Sequence, residues 1–383
     1  MSHQGSPAKS IPGRSGERTR DRTRTRGRRL SAAFALAVAC ATGLSVLAEA
    51  PASAHPSSAP IYVDCSRPQS GDGSKRQPLN TLAQVNALSL AKGDEVLLKR
   101  GTTCNGTLAP TGSGTRNKPI VFGAYDRGSL PVIVGDPAAT AAFVLADMSH
   151  VVVKDLQLTH PVGSTTVSRQ GLHVTVSTGV VSNITVTGLD VKNVVGLVAN
   201  QANAGGGIVF EAVQGARFDG IVIRKNTVSD VQNNGITVLG DWQSPRPAAG
   251  QPWPQASTNV LVTENTVTRV PGNGIFVAGA ESPVSSWNNV SYAAMANRDY
   301  RDPVNRICNV GLWFWQTNNA LAEYNEVSHT VHKAPGAAGG CDGTAFDIDY
   351  AQDGTVFQYN YSHNNEGGFM LLCSDTPEHR GIV

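Results

Sequence analysis

The feature that most constrains this chain is a repeat in its second half. Four segments share one plan: VIRKNTVSDVQNNGITVLG at 222–240, LVTENTVTRVPGNGIFVAG at 261–279, LAEYNEVSHTV at 321–331 and VFQYNYSHNNEGGFMLL at 356–372. Each runs through a short strand, an Asn (Asn226, Asn265, Asn325, Asn360), a second strand or turn, then Gly and a third strand. A weaker copy passes through NITVTGLDVKNVVG at 183–196 and ends in GGIVFEA at 206–212. Three strands in roughly 20 to 25 residues, with long insertions at one recurring point, is the plan of a coil in a parallel β-helix. Alternate residues point inward, and coils stack at about 4.8 Å. The recurring Asn suits a coil corner, where it tolerates left-handed backbone and hydrogen-bonds its copies above and below.

Composition agrees with this reading. The 383 residues include 40 Gly, only 6% aromatic and 16% charged side chains, which favours many short strands with tight turns and excludes a helical bundle. A hydrophobic fraction of 40% and a mean hydropathy of −0.16 exclude a membrane protein. The net charge of +2 conceals an asymmetry. Residues 1–54 carry nine Lys and Arg against three acids, which leaves the remainder acidic by four charges. A nucleic-acid partner is therefore not expected, because phosphate binding needs a basic excess on the folded part.

The basic stretch ends at Arg28-Arg29, an apolar run follows from Leu30 to Leu47, and Ala-Ser-Ala closes it at 52–54. That order is a secretory signal peptide with an extended basic start, and cleavage is expected after Ala54. A short linker at 55–60 leads into a β-helix domain at 61–383, and the protein is expected to be secreted, monomeric and free of the membrane after cleavage. The last residues, DTPEHRGIV, stop where another strand should begin, so the domain reads as truncated at its C-terminal end. Export permits disulfides; the pairs expected are Cys65 with Cys104 and Cys308 with Cys341, with Cys373 left over. No Cys or His spacing suggests zinc.

The segment from Ile61 to Leu88, followed by GDEVLLKRGTTCNG and PIVFGAYDRGSLPVIVG, resembles the entrance of secreted right-handed parallel β-helix proteins of the pectate-lyase-like superfamily. The resemblance covers about 61–383 and implies an all-β, right-handed solenoid with a short N-terminal capping helix near Asn80 to Leu90, entered by Pro78 and stopped by Gly93. It also implies sugar chemistry. The calcium and Lys or Arg base of the lyases, and the Asp-Asp and Gly-His-Gly motifs of the polygalacturonase branch, have no clear counterparts here.

Aligning the strands after the Gly puts Ile208, Ile236, Ile275, Leu312, Phe346 and Phe369 in one inward column, so the next positions face outward. Those outward columns carry Glu211, Phe276, Trp313, Trp315, Asp347 and Asp349. Flat rings beside carboxylates suit a sugar's apolar face and its hydroxyls, so Trp313, Trp315, Phe276 and Glu211 are expected to bind substrate. The insertions at about 241–258 and 280–309 would supply walls bearing Trp242, Trp253, Trp287, Tyr292, Tyr300 and Arg301. Asp347 and Asp349 lie two apart on a strand with Cα atoms about 6.5 to 7 Å apart, a spacing for acid/base hydrolysis or, with calcium, for a two-oxygen cation site. No cofactor is otherwise expected. His329 and His363 read as equivalent, stacked positions; Glu323, Lys333, Glu366 and Asp375 lie near the rim, and Asp342 stands just upstream in CDGTAFDID. The expected function is cleavage of an extracellular polysaccharide, with a glycoside hydrolase favoured over a polysaccharide lyase. The alternative is a non-catalytic β-helix that binds glycan or cell wall.

Overall fold

The computed structural model describes residues 59–163, 165–198, 204–241, 253–299, 309–333, 342–349 and 351–372. They form a parallel β-helix whose strands gather into an 18-stranded, a 9-stranded and a 2-stranded sheet. Seven strands of the largest sheet position the site: β1 (Gln170–Val176), β2 (Gly206–Ala212), β3 (Asn234–Leu239), β4 (Ile275–Glu281), β5 (Leu312–Asn318), β6 (Phe346–Ile348) and β7 (Met370–Leu372). Each pairs in parallel with the next.

The expected inward columns are present and extend one coil further, to Leu172 and Val174. Leu172, Ile208, Ile236, Ile275, Leu312 and Phe346 stack in one; Val174, Phe210, Val238, Val277, Phe314 and Ile348 stack in the next, and all are buried. Burying a side chain of this size contributes about 1.5 to 3 kcal/mol, so these columns supply much of the driving force for stacking. The last coil departs from the expected alignment by one residue, because Met370 and not Phe369 pairs with Phe346. Gly368 has φ of 97° and shifts the entry to β7, leaving the Phe369 ring edge-on to Phe346 at 5.7 Å.

The Asn ladder is continuous and longer than the repeat implied. Asn226 Nδ2 donates to Asn265 Oδ1 at 2.9 Å, and Asn265 to Asn288, Asn288 to Asn325 and Asn325 to Asn360 each at 3.0 Å. The Asn residues themselves are not the left-handed ones. Positive φ falls on the residue before each, at Lys225, Glu264, Trp287, Tyr324 and Tyr359, which turns the chain so that the Asn side chain enters the stack. Asn288 belongs to a coil that the sequence reading treated as an insertion. Residues 280–309 in fact contain the strands Val284–Ser286 and Asn289–Ser291, each paired to coils on both sides.

At the other end, helix α1 (Leu82–Asn86) buries Leu82 and Val85 against the first coils. Its five residues are fewer than expected, and Thr81 rather than Pro78 starts it. Thr81 and Gln84 cap it reciprocally, which satisfies two otherwise unpaired backbone donors. The expected Cys65–Cys104 disulfide is formed, with Cα atoms 5.2 Å apart. Cys308, Cys341 and Cys373 lie outside the described residues.

Candidate active site

The outward columns of β3 to β6 converge on three aspartates. Cross-strand register places Thr237, Phe276, Trp313 and Asp347 in one line, and Leu239, Ala278 and Trp315 in the next. Phe276 and Trp313 stack nearly parallel with ring centroids 4.0 Å apart; Trp315 lies 6.3 Å from Trp313 at 17°. These rings do not form the open platform expected. Phe276 is fully buried and Trp313 nearly so, because Val310 and Ala204, at the entries to β5 and β2, pack with Leu239 and Ala278 into a second apolar cluster outside the coil. Trp315 is only partly buried, which leaves it the accessible ring of the three.

Asp347 is 2% exposed. Its Oδ1 has no hydrogen-bond partner among the described residues, and neither does the indole Nε1 of Trp313, its neighbour on β5. Burial, reinforced by the negative charges of Asp349 and Asp342, pushes the Asp347 carboxyl up to about 9. It is therefore a neutral acid at physiological pH. Asp342 is partly buried, and burial with repulsion from Asp349 raises it to about 6, against a smaller opposing influence of His332. Asp349 is the charge that both others feel. Its main-chain carbonyl accepts from Gln352 Nε2 at 3.0 Å, and the same amide donates to Phe314 O, tying the end of β6 to β5.

Asp342 is the residue whose weight the sequence understated. Its local backbone is closely held. The Asp342 carbonyl accepts from His332 Nδ1 at 2.8 Å, and the Gly343 carbonyl accepts from Thr330 Oγ1 at 2.6 Å and from Gly367 N at 3.0 Å. A Cβ on Gly367 would sit 2.3 Å from Asp342 O, so glycine there is what lets the last coil approach. The signal available in the sequence was three aspartates within CDGTAFDID.

The other expected site residues are not brought to the aspartates. Glu211 lies on β2, roughly 19 Å of stacked strands from the end of β6, and pairs with His173 Nε2 at 2.9 Å. Trp253 lines a separate depression with Arg217, Asp219 and Glu281. Trp287 stacks on Tyr324 at one coil corner and Tyr292 on His329 at another, as follows from the strands Val284–Ser286 and Asn289–Ser291 belonging to a coil. His329 and His363 are not equivalent: His363 aligns with Ser328, pairs with Glu326 at 3.1 Å and meets His329 only edge-on. Glu323 accepts from Gln358, and Glu366 pairs with Arg298. Trp242, Tyr300, Arg301 and Asp375 lie outside the described residues.

A calcium site does not fit the donors present. Among the described residues no group of three or more His, Cys, Asp and Glu side chains could hold a metal ion.

No family model matches the chain. It is similar to a lacto-N-biosidase of Bifidobacterium longum subsp. longum, with 26% identity over 79% of this chain and 24% of the relative. Two crystal structures of a GH136 lacto-N-biosidase from Eubacterium ramulus superpose on it. The selenomethionine derivative has a TM-score of 0.70 at 25% identity, and the native protein 0.72 at 24%. Each covers 82% of this chain, and the chain spans 58% of each solved chain and about a quarter of the curated relative.

Proposed function

We propose that this protein is a secreted glycoside hydrolase acting on an extracellular glycan, with Asp342 and Asp349 as the two working carboxyls and lacto-N-biosides as the first substrates to try. The observation that carries the reading is three nearby aspartates held in different electrostatic environments, and the similarity to lacto-N-biosidases supports it. Glycoside hydrolysis needs one carboxyl that is protonated near neutrality and one that is ionised. Asp342, raised to about 6, fits the acid that protonates the departing glycosidic oxygen. Asp349 fits the carboxylate that either attacks the anomeric carbon or takes the proton from an attacking water. Asp347, neutral up to about 9, supports them by keeping its own charge out of the cluster. Trp315, the partly exposed member of the ring stack, would meet an apolar sugar face. The leader in residues 1–54 supports export.

The test is incubation of the full-length protein with an aryl lacto-N-bioside and with neutral and uronic-acid polysaccharides, with and without EDTA. Reducing ends should appear on the neutral β-linked substrate, unaffected by EDTA, and Asp349→Asn should abolish them. Ultraviolet absorbance of an unsaturated uronate would instead identify a lyase, and glycan retention without turnover by the folded protein would identify a binding module.

A further inference from the structure

The segment 330–332 makes contacts with the Asp342 loop that go beyond packing. His332 Nδ1 lies 2.8 Å from the Asp342 carbonyl oxygen. A carbonyl only accepts, so Nδ1 carries a proton and the ring holds the Asp342 peptide with an N–H donor. The His332 main-chain N–H in turn donates to Glu366 Oε2 at 3.1 Å, and the other oxygen of Glu366 is taken by the Arg298 guanidinium. The next carbonyl, Gly343 O, is held by Thr330 Oγ1 two residues before His332. Gly343 has φ of 66°, and a Cβ there would lie 2.6 Å from Val331 O and 2.8 Å from His332 Cα. Two successive carbonyls are thus fixed from one side by a single short segment, at the residue that carries the acid.

We propose that His332 is a positioning residue for Asp342: its Nδ1–H fixes the peptide from which the carboxyl of Asp342 projects, with Glu366 and Arg298 bracing the histidine from behind. The inference rests on the assignment of Asp342 as the acid. Asp342 precedes β6 and lies outside that strand's own pairing, and a displacement of a catalytic carboxyl by about 1 Å can cost about 100-fold in rate. The support comes from outside the coil's own ladder, which is why no strand pattern in the sequence announces it.

The experiment measures kcat and KM on a lacto-N-bioside with a poor leaving group for the full-length wild type, His332→Ala, His332→Asn and Asp342→Asn, with thermal unfolding of each. Asn presents an amide N–H close to where the imidazole Nδ1 stood, so it keeps the donor and removes the ring. His332→Ala should lower kcat about 10- to 100-fold with KM within about twofold, and His332→Asn should restore most of it. Equal loss in the Asn and Ala variants, or unchanged kcat in a folded His332→Ala, overturns the inference. Full activity in Asp342→Asn on a substrate with a poor leaving group would instead remove the acid assignment on which it rests. If His332→Ala does not fold, the Asn variant decides alone: near-wild-type kcat supports the role, and a large loss of kcat in the folded Asn variant refutes it.

Discussion

Asp347 offers the most quantitative consequence of the structure. Its carboxyl is lifted from 3.8 to about 9 in the folded protein by burial first and by Asp349 and Asp342 second. The sign follows from linkage: between those values the folded state holds a proton that the unfolded state has released, so stability falls as pH rises. Each unit is worth about 1.4 kcal/mol, so from pH 5 to pH 8 this one residue removes about 4 kcal/mol. Asp347→Asn imitates the neutral acid in shape and does not titrate. Urea unfolding of wild type and variant at pH 5 and pH 8 isolates the effect, because every other titrating group is common to both. The variant should gain on the wild type by about 4 kcal/mol between the two pH values, and activity should stay within a few-fold. A difference that is the same at both pH values to within about 0.5 kcal/mol would refute the argument that burial, rather than a salt link or cation, sets the state of this group.

Other outcomes follow from the same geometry. Asp349→Asn should lower kcat by about 1,000-fold or more on any glycoside, while Asp342→Asn should recover much of its activity on an aryl glycoside whose leaving group needs no protonation; steady-state kinetics on paired substrates checks both. Asn288→Ala removes the acceptor used by Asn265 N at 3.0 Å and the donors to Val262 O and Asn325 Oδ1. It should cost about 3 kcal/mol in urea unfolding, whereas Thr266→Ser, exposed on the neighbouring coil where it pairs with Asn289, should stay within about 0.5 kcal/mol.

Much of the fold was legible because β-helix coils write their geometry into the sequence with a period of two. The inward columns from Ile208 to Phe346 and the Asn ladder follow from that period and from recurrence, and the structure reproduces them. The coil through Asn288 was missed because its corner carries Trp287 where other coils carry polar residues or tyrosine. The site was less legible for a different reason. Alternation told which side chains face outward, but not that Val310 and Ala204 fold over them, and so it took Phe276 and Trp313 for a surface when they form a second core. Asp347 and Asp349 were visible as a pair on one face. That Asp342 joins them depends on a loop fixed by His332, Thr330 and Gly367, contacts between coils that no local pattern encodes.

The most direct test of the account is the pH dependence of kcat/KM for the full-length protein on a lacto-N-bioside with a poor leaving group. The account predicts a descending limb near pH 6, as Asp342 loses its proton, and loss of that limb in the residual activity of Asp342→Asn on the same substrate. A limb near pH 6 that persists in Asp342→Asn, or a wild-type profile that stays flat through that range, would contradict it.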